Sequence, residues 1–445
     1  MDEEKAVRPG ASGQLGPAPS PEAQLGETSG EMSRRKFLGV GAGLLGAAAA
    51  GSSLARHAIA LKSTTTKPTT LTFWNSYTAS DRPFVEAIVA KFNSSQKSVY
   101  IDMTIMPGDV LADKVEVSLA TGVGPDITTV PNGAVQEVAE FADAGVVQPV
   151  DYAYGSGGID KSVFPAAFFP AVTYKGHLYG IPMTIQSVGL YYNPDMYKSA
   201  GIAVPSTTAE LIAAAEKLTG NGISGFPLAT TGVIDWWSLF MWAYGANYTN
   251  PGATKATIDS KAAVTAFATW GSANAKYKIS PPNLTGAQGD SLFSTKRAAM
   301  DFSGPWVISG FEAAKVPFDV MAFPGAGGQP IALGTGGTMV LSSKCTELGA
   351  AHDFFNFWCS PWAVLEYAKS GSNAMRTDLT AEVSKIGKYP AKFQQLLPSI
   401  RYDLTGLLKF SQVSAEVTEV VEAVEAGKSV PSVLSAANAK IQSYL

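Results

Sequence analysis

Three glycines near the start of the chain have the spacing of a dinucleotide-binding loop. Gly41, Gly43 and Gly46 form the pattern G-x-G-x-x-G, which lets the backbone approach a pyrophosphate at a helix N-terminus. That chemistry needs a strand before the glycines and an acidic residue about 20 positions after them. Here the basic run at 33–36 precedes them, and no acid follows before Asp81. The spacing therefore does not indicate a nucleotide cofactor.

The same stretch has the composition of an export signal. Adjacent Arg34 and Arg35 are followed by the apolar or small residues 37–50 and by a small-x-small site at 58–60. This order is typical of a secretory signal, and the arginine pair indicates the twin-arginine route. We predict a disordered n-region and signal peptide over 1–60, with export to a periplasm or to the outer face of the cytoplasmic membrane. No cysteine lies nearby for lipid anchoring. Cleavage or retention of the signal stays open.

Residue patterns that indicate catalysis are sparse. The chain has three histidines, His57, His177 and His352, and their spacing does not match a metal site. It contains no G-x-S-x-G elbow and no P-loop. No carboxylate stands in a recognisable glycosidase motif. We therefore expect no enzymatic activity, no metal and no cofactor.

Length and charge narrow the class further. A chain of 445 residues exceeds a single hydrophobic core, which predicts two domains. The net charge is −4 and charged residues are 16% of the chain, so nucleic acid is not an expected partner. No apolar run after residue 60 is long enough to span a bilayer. We expect a soluble, monomeric globular protein after export.

Strand and helix patterns alternate after residue 70, which predicts an α/β fold with a parallel sheet. Ligands in such sheets bind beyond the carboxyl ends of the strands. This places Asn75 and Ser76, and then Asn132, on the rim of a site. The predicted elements are strand 71–74, helix 81–95 with Asp81 at its N-cap, strand 99–105, helix 109–122 ended by Gly122, strand 126–130 and helix 135–145.

The two cysteines are predicted to be free. Cys345 and Cys359 flank a helical pattern, which separates them by roughly 21 Å at 1.5 Å per residue. A disulfide needs Cα atoms within about 7 Å of each other. We therefore expect two free, buried thiols. The helix itself is expected to span 347–369.

Six segments in a fixed order carry a family resemblance. They are FWNSY, ATGVGPDI, YKGHLYGIPMTIQSVGLYYNPDMYKSAGI, AAMDFSGPW, GTGGTMVLSS and FFNFWCSPWAVLEYAKSGSNAMRTDL. This order resembles the extracellular solute-binding proteins of ABC importers, family 1, which include maltose-, trehalose- and glycerol-phosphate-type binders. The resemblance covers residues 70–445.

The resemblance implies a two-lobed, type II periplasmic-binding-protein-like α/β fold with hinge strands between the lobes. Closure of the lobes traps the ligand. The glycines Gly336 and Gly337 fit a hinge, because glycine tolerates changes of φ and ψ and lets a ligand approach the backbone. The expected lobes are 61–186 plus 336–375, and 187–335 plus 376–445.

The resemblance also implies ligand contacts. Trp306 matches a tryptophan that stacks on the apolar faces of sugars, and Gln186, Asn132 and Arg376 match polar contact positions. A turn tryptophan, a hinge hydrogen bond and a solvated arginine are the structural alternatives for these residues.

Further tryptophans are assigned from helical geometry. Trp236 and Trp237 are adjacent on a predicted helix, so one can face the core and the other the cleft, and both are candidates. The tryptophans expected in the core are Trp242, Trp270, Trp358 and Trp362.

The expected function is the substrate-binding component of an ABC importer. It would capture a carbohydrate between its lobes and deliver it to the transmembrane permease subunits. Amide and hydroxyl side chains suit neutral sugars. A glycerophosphodiester or polyol ligand, and a sensor ectodomain on the same fold, stay open as alternatives.

Overall fold

The first strand shows how the sequence positions a site. In Thr69–Asn75, Leu71, Phe73 and Asn75 are buried and the residues between them are not, which is the period of two of a strand with one covered face. The strand delivers Asn75 to its carboxyl end. The structure is a computed structural model, and it describes residues 67–78, 81–130, 135–229, 234–403 and 407–445.

Strands and helices alternate along the described ranges. The strands are β1 Thr69–Asn75, β2 Val99–Ile105, β3 Ile127–Thr129, β4 Thr173–Tyr174, β5 His177–Leu178, β6 Gly180–Pro182, β7 Gln186–Tyr192, β8 Met300–Ser303, β9 Asp319–Met321, β10 Phe323–Pro324, β11 Pro330–Thr335, β12 Thr338–Leu341 and β13 Ile400–Arg401.

The helices complete the architecture, and none of those described is long and apolar enough to cross a membrane. They are α1 Arg82–Ser95, α2 Gly108–Thr121, α3 Val138–Asp143, α4 Phe168–Ala171, α5 Pro194–Ala200, α6 Thr208–Leu218, α7 Ile234–Ala243, α8 Lys261–Tyr277, α9 Gly286–Ser294, α10 Ile308–Ala313, α11 Leu348–Trp358, α12 Pro361–Ala368, α13 Thr380–Ile386, α14 Lys388–Leu396, α15 Phe410–Glu425 and α16 Val430–Tyr444.

The first sheet has the order β2-β1-β3-β12-β6. Strand β1 is parallel to both β2 and β3, which confirms the parallel sheet predicted from the alternation of elements. Strand β12 is antiparallel to β3 and to β6. Local periodicity could not predict this neighbour, because β12 joins the sheet from about 200 residues further along the chain.

The second sheet has the order β10-β11-β7-β8, with β13 beside β11 and β9 beside β7. Stacked aromatic rings fill the core on one of its faces. Phe240 stacks on Trp270 at 4.1 Å between ring centroids, and Trp237 stacks on Phe267 at 4.8 Å. The core positions predicted for Trp242, Trp270 and Trp358 are confirmed by their burial.

The chain passes from the first sheet to the second at residues 183–185, returns at 336–337, and passes to the second sheet again between β12 and β13. The backbone N–H groups of Met183 and Thr184 both donate to the carbonyl oxygen of Gly337, which holds the two crossings together. The buried side chain of Asn373 donates to the carbonyl oxygen of Ile185 at 2.7 Å. The residue ranges of the two lobes stay a prediction.

The helix expected over 347–369 is wrong as a single element. Ser360 accepts a hydrogen bond from the backbone of Ala363, and Pro361 begins a new helix, α12. Proline lacks the N–H that would continue the preceding helix, so it suits a helix start. The break turns Trp362 outward, and 43% of that residue is exposed, so its expected core position is also wrong.

Both cysteines are free and buried, as predicted. Burial raises the pKa of the Cys345 thiol to about 11, and burial also raises the pKa of Cys359. Thiols that stay protonated are poor nucleophiles and poor metal ligands. Their role is therefore structural.

Two carboxyl groups lie beside each other where α9 packs on β8. Asp301 is wholly buried. Burial, together with the negative charge of Asp290, raises the pKa of Asp301 well above its ordinary value. Burial likewise raises the pKa of Asp290. The pair holds a proton in the folded state more tightly than in the unfolded chain.

Candidate ligand-binding site

A cavity of about 310 Å³ lies where strand ends from both sheets meet the two chain crossings. Its volume is at the lower end of the range for small-molecule sites. The described residues that line it are Ser76, Tyr77, Thr78, Asp81, Thr129, Val130, Gln186, Trp306, Thr335, Gly336 and Gly337.

Trp306 supplies the large apolar surface of this cavity. It lies on the short 3-10 helix Pro305–Val307 that follows β8, and 52% of the residue is exposed. A Cβ atom on Gly304 would come within 2.1 Å of the indole ring, so a glycine there lets the ring lie against the backbone. A flat, exposed ring in a cavity suits the apolar face of a sugar.

The glycines of the second crossing are required by close backbone approaches. Gly336 has a φ of +131°, and an added Cβ would lie 2.3 Å from the carbonyl oxygen of Thr184. A Cβ on Gly337 would lie 2.1 Å from the hydroxyl of Tyr77. Both predicted glycines line the cavity, and a side chain at either position would clash with these atoms.

Tyr77 connects the cavity to the crossings. Its hydroxyl lies 2.8 Å from the Thr184 hydroxyl, and that hydroxyl accepts the N–H of Gly337 at 2.7 Å. Burial raises the pKa of Tyr77, and the hydrogen bond to Thr184 opposes this only in part. Tyr77 therefore stays neutral at physiological pH and serves as a hydrogen-bonding group.

Gln186 and Thr335 bring the second sheet to the cavity. They are register partners of antiparallel strands β7 and β11. The Gln186 side-chain amide donates to the Ser372 hydroxyl at 2.8 Å, which fixes its direction. This places an amide and a hydroxyl together at the crossing, and both groups suit sugar hydroxyls.

Asp81 is a cavity residue that the sequence suggested only as a helix cap. It occupies the N-cap position of α1, but its side chain makes no capping hydrogen bond. Its carboxylate accepts a hydrogen bond from the Tyr367 hydroxyl at 3.4 Å. The N-cap preference of aspartate hid this second role, because one pattern accounted for the residue.

Two further strand-end predictions have different outcomes. Ser76 lines the cavity. Asn75 is wholly buried and its side-chain oxygen accepts the Tyr77 backbone N–H at 3.2 Å, so it shapes the turn beneath the cavity. Asn132 lies outside the described residues. The rule that ligands bind at strand ends would also have found Thr129, which ends β3, and Val130, which follows it.

Three predicted contact residues lie away from the cavity. Trp237 is buried in the aromatic core, and half-buried Trp236 packs against Phe302 at 4.7 Å. Arg376 forms an ion pair with Asp378 at 2.7 Å and donates to the carbonyl oxygen of Cys359. Its guanidinium is therefore held by the protein itself.

A sequence profile of a known family matches most of the chain. The family is described as bacterial extracellular solute-binding protein, and the match covers residues 87–394. The chain belongs to this family. Its members bind solutes outside the cytoplasm, so the chain is an exported protein. The resemblance drawn from the six ordered segments is confirmed.

Relatives and solved structures agree with this assignment. A binding protein of Brucella abortus is 24% identical over 73% of this chain and 81% of its own. A maltooligosaccharide ABC transporter solute-binding lipoprotein of Streptococcus pneumoniae is 26% identical over 62% of this chain and 65% of its own. The cyclic alpha-maltosyl-1,6-maltose binding protein of Arthrobacter globiformis superposes with a TM-score of 0.75 at 20% identity, over 85% of this chain and 99% of its own. The two-lobed α/β fold class is thereby confirmed.

Proposed function

We propose that this chain is the substrate-binding component of an ABC importer and captures a carbohydrate in the cavity between the two sheets. The exposed ring of Trp306 opposite hydroxyl and amide groups carries this proposal. Sugars present apolar C–H faces and a rim of hydroxyls, and such a cavity matches both. The Streptococcus pneumoniae relative, named for maltooligosaccharides, supports the same ligand class.

The polar groups of the cavity favour a neutral ligand over a phosphodiester. A phosphate group is bound in proteins by arginine, lysine or clustered backbone N–H groups. No arginine or lysine is among the described lining residues, and the guanidinium of Arg376 is held by Asp378 and Cys359. The glycerophosphodiester alternative therefore lacks its expected cation.

The sequence and the two chain crossings support a proposed export route and a proposed mode of ligand capture. We infer export by the twin-arginine pathway from the arginine pair at 34–35. The monomeric protein would close about residues 183–185 and 336–337, and the ligand would shift it toward the closed form by binding that form better. The closed form would dock on the permease, and no bond of the ligand would be made or broken.

Two exposed tryptophans allow a matched test. Trp306 lines the cavity, whereas Trp362 is similarly exposed on α12. Calorimetry of the full chain with neutral mono-, di- and trisaccharides, including maltotriose, should show binding. Trp306→Ala should weaken it by well over tenfold, because an aromatic anchor contributes about 2 kcal/mol or more. Trp362→Ala should leave it unchanged. Equal affinities of Trp306→Ala and the parent would contradict the proposed site.

A further inference from the structure

The amide of Gln186 reaches the cavity with one of its two ends already bound by the protein. Its nitrogen donates to the Ser372 hydroxyl at 2.8 Å. Its side-chain oxygen receives no hydrogen bond from any described residue, and that oxygen is not among the buried polar atoms without a partner. Because Gln186 lines the cavity, the oxygen is the end of the amide that a ligand can reach.

The residue after Ser372 fixes the backbone on both sides of Gln186. The buried side chain of Asn373 donates to the carbonyl oxygen of Ile185 at 2.7 Å and accepts the N–H of Ser187 at 3.2 Å. Both peptide groups that flank Gln186 are thus held by one side chain. With the backbone fixed, the direction of the Gln186 amide depends on its hydrogen bond to Ser372.

Tyr367 determines which end of the amide faces Ser372. Burial raises the pKa of Tyr367 well above its ordinary value, and a hydrogen bond with Ser372 opposes this rise. A hydrogen bond lowers the pKa of a phenol when the phenol oxygen accepts it, so the Ser372 hydroxyl donates to Tyr367. A serine hydroxyl has a single hydrogen. Ser372 therefore accepts from Gln186, and the end that faces it is the nitrogen.

An amide whose nitrogen is held in this way offers a ligand only an acceptor. A free primary amide can turn to present either its oxygen or its two N–H groups. The held amide accepts a hydrogen bond from a ligand hydroxyl but does not donate to a ligand oxygen. A ligand group that cannot donate leaves the amide oxygen unpaired in a partly enclosed site, which weakens binding.

We propose that Ser372 is a positioning residue that holds the Gln186 amide with its oxygen toward the ligand, so that the site requires a hydrogen-bond donor at this point of the saccharide. This inference rests on the proposed function, because it concerns the same cavity. Ser372 itself does not line the cavity and acts through Gln186.

Maltose and its derivatives with one altered hydroxyl test this. In one series each hydroxyl in turn is replaced by hydrogen, and in the other by fluorine, which keeps much of the size of a hydroxyl but cannot donate. In calorimetry on the full chain, both replacements at one position should weaken binding about fivefold or more. Gln186→Ala should reduce that loss to about twofold or less, which identifies the hydroxyl that Gln186 binds.

Two neighbouring serines give a matched pair of variants. Ser372→Ala should also reduce the loss at that hydroxyl to about twofold or less, because the released amide can turn. Ser370→Ala removes a buried hydroxyl that has no hydrogen-bond partner, and it should keep the full loss. Circular dichroism checks that both variants are folded.

Tyr367→Phe provides a second test that leaves Ser372 in place. It removes the group to which Ser372 donates, so the serine hydroxyl can donate to the amide oxygen instead. The loss at the same hydroxyl should again fall, and this result decides the matter if Ser372→Ala does not fold.

The outcomes separate this inference from the proposed function. A full loss at that hydroxyl in Ser372→Ala, or an even weakening of maltose and all its derivatives, would overturn the positioning role while maltose binding still supports the carbohydrate proposal. Tight binding of the fluorine derivative at that position would overturn the requirement for a donor. A parent chain that does not bind maltose would overturn this inference, whereas the proposed function would fall only if all the neutral saccharides failed to bind.

Discussion

The first-sheet wall of the cavity carries mainly hydroxyl groups, whereas the second-sheet wall carries the half-exposed ring of Trp306 beside the Gln186 amide and the Thr335 hydroxyl. The polar groups follow the carboxyl ends of β1 and β3. The ring follows β8, which runs antiparallel to β7. A molecule with both hydroxyl edges and an apolar face therefore satisfies the two walls together.

Two aspartates, Asp81 and Asp301, also differ between the two sides of the molecule. Asp81 is a lining residue on the first-sheet side, and its carboxylate accepts a hydrogen bond from Tyr367. Asp301 is wholly buried beside Asp290 on the second-sheet side, where it affects stability. Burial and neighbours, rather than residue type, therefore decide what each carboxyl group does.

The largest expected effect on stability comes from a substitution at the crossing that connects the two walls. Gly336→Ala should lower the free energy of unfolding by about 3 kcal/mol, because it adds strain at positive φ and a clash with the Thr184 carbonyl. Gly145→Ala is the matched control, since Gly145 also has a positive φ but an added Cβ there meets open space. It should cost about 1 kcal/mol. Urea unfolding measures the stability of both variants. Equal losses of stability would show that the clash with Thr184 contributes nothing.

A smaller loss of stability is expected from a substitution of Tyr77 in the first-sheet wall. Tyr77→Phe removes the hydroxyl next to Thr184 and should lower the free energy of unfolding by about 1 kcal/mol. It should also weaken saccharide binding severalfold. Tyr154→Phe removes a comparable hydrogen bond to the Gly180 carbonyl away from the cavity.

Unfolding and calorimetry together separate these two tyrosine variants. Both should lose stability, and only Tyr77→Phe should lose saccharide affinity. Unaltered affinity in Tyr77→Phe would mean that the hydroxyl serves the crossings alone.

The smallest expected effect is a change in the pH dependence of stability, which arises from the aspartate pair on the second-sheet side. The raised pKa of Asp301 and Asp290 contributes stability at acid pH that is lost as the pH rises through their folded-state values. Asp301→Asn should therefore lose less stability than the parent between about pH 4 and about pH 7. Urea unfolding midpoints at both pH values measure this. An equal loss of stability in the variant and the parent would show that the pair does not control how stability depends on pH.

The sequence predicts elements whose signal is local. Strand β2 was expected over 99–105 and lies at Val99–Ile105, because alternating burial is visible in the residues themselves. Gly122 was expected to end α2 and adopts the left-handed conformation there. Trp306 was expected in the site because its segment stands in a recognisable order, and it lines the cavity.

The sequence does not predict features that depend on distant contacts. Helix α7 is apolar on all sides, so its pattern could not show that Trp237 faces the core and that Trp236 packs on Phe302. Arg376 could not be assigned from its neighbour Asp378 alone, because its second partner, the carbonyl oxygen of Cys359, meets it only in the folded chain. The role of Asp81 was hidden by its suitability as a helix cap.

A thermal-shift screen of the full chain against mono-, di- and trisaccharides, sugar alcohols and glycerophosphodiesters tests the central claim most directly. A saccharide at 100 times its dissociation constant should add about 2.7 kcal/mol of stability and raise the melting temperature by several degrees. We predict a selective shift with a neutral saccharide, and chromatography should recover that saccharide unchanged. A shift with glycerophosphodiesters alone, or a shift that fades as product appears, would contradict the account.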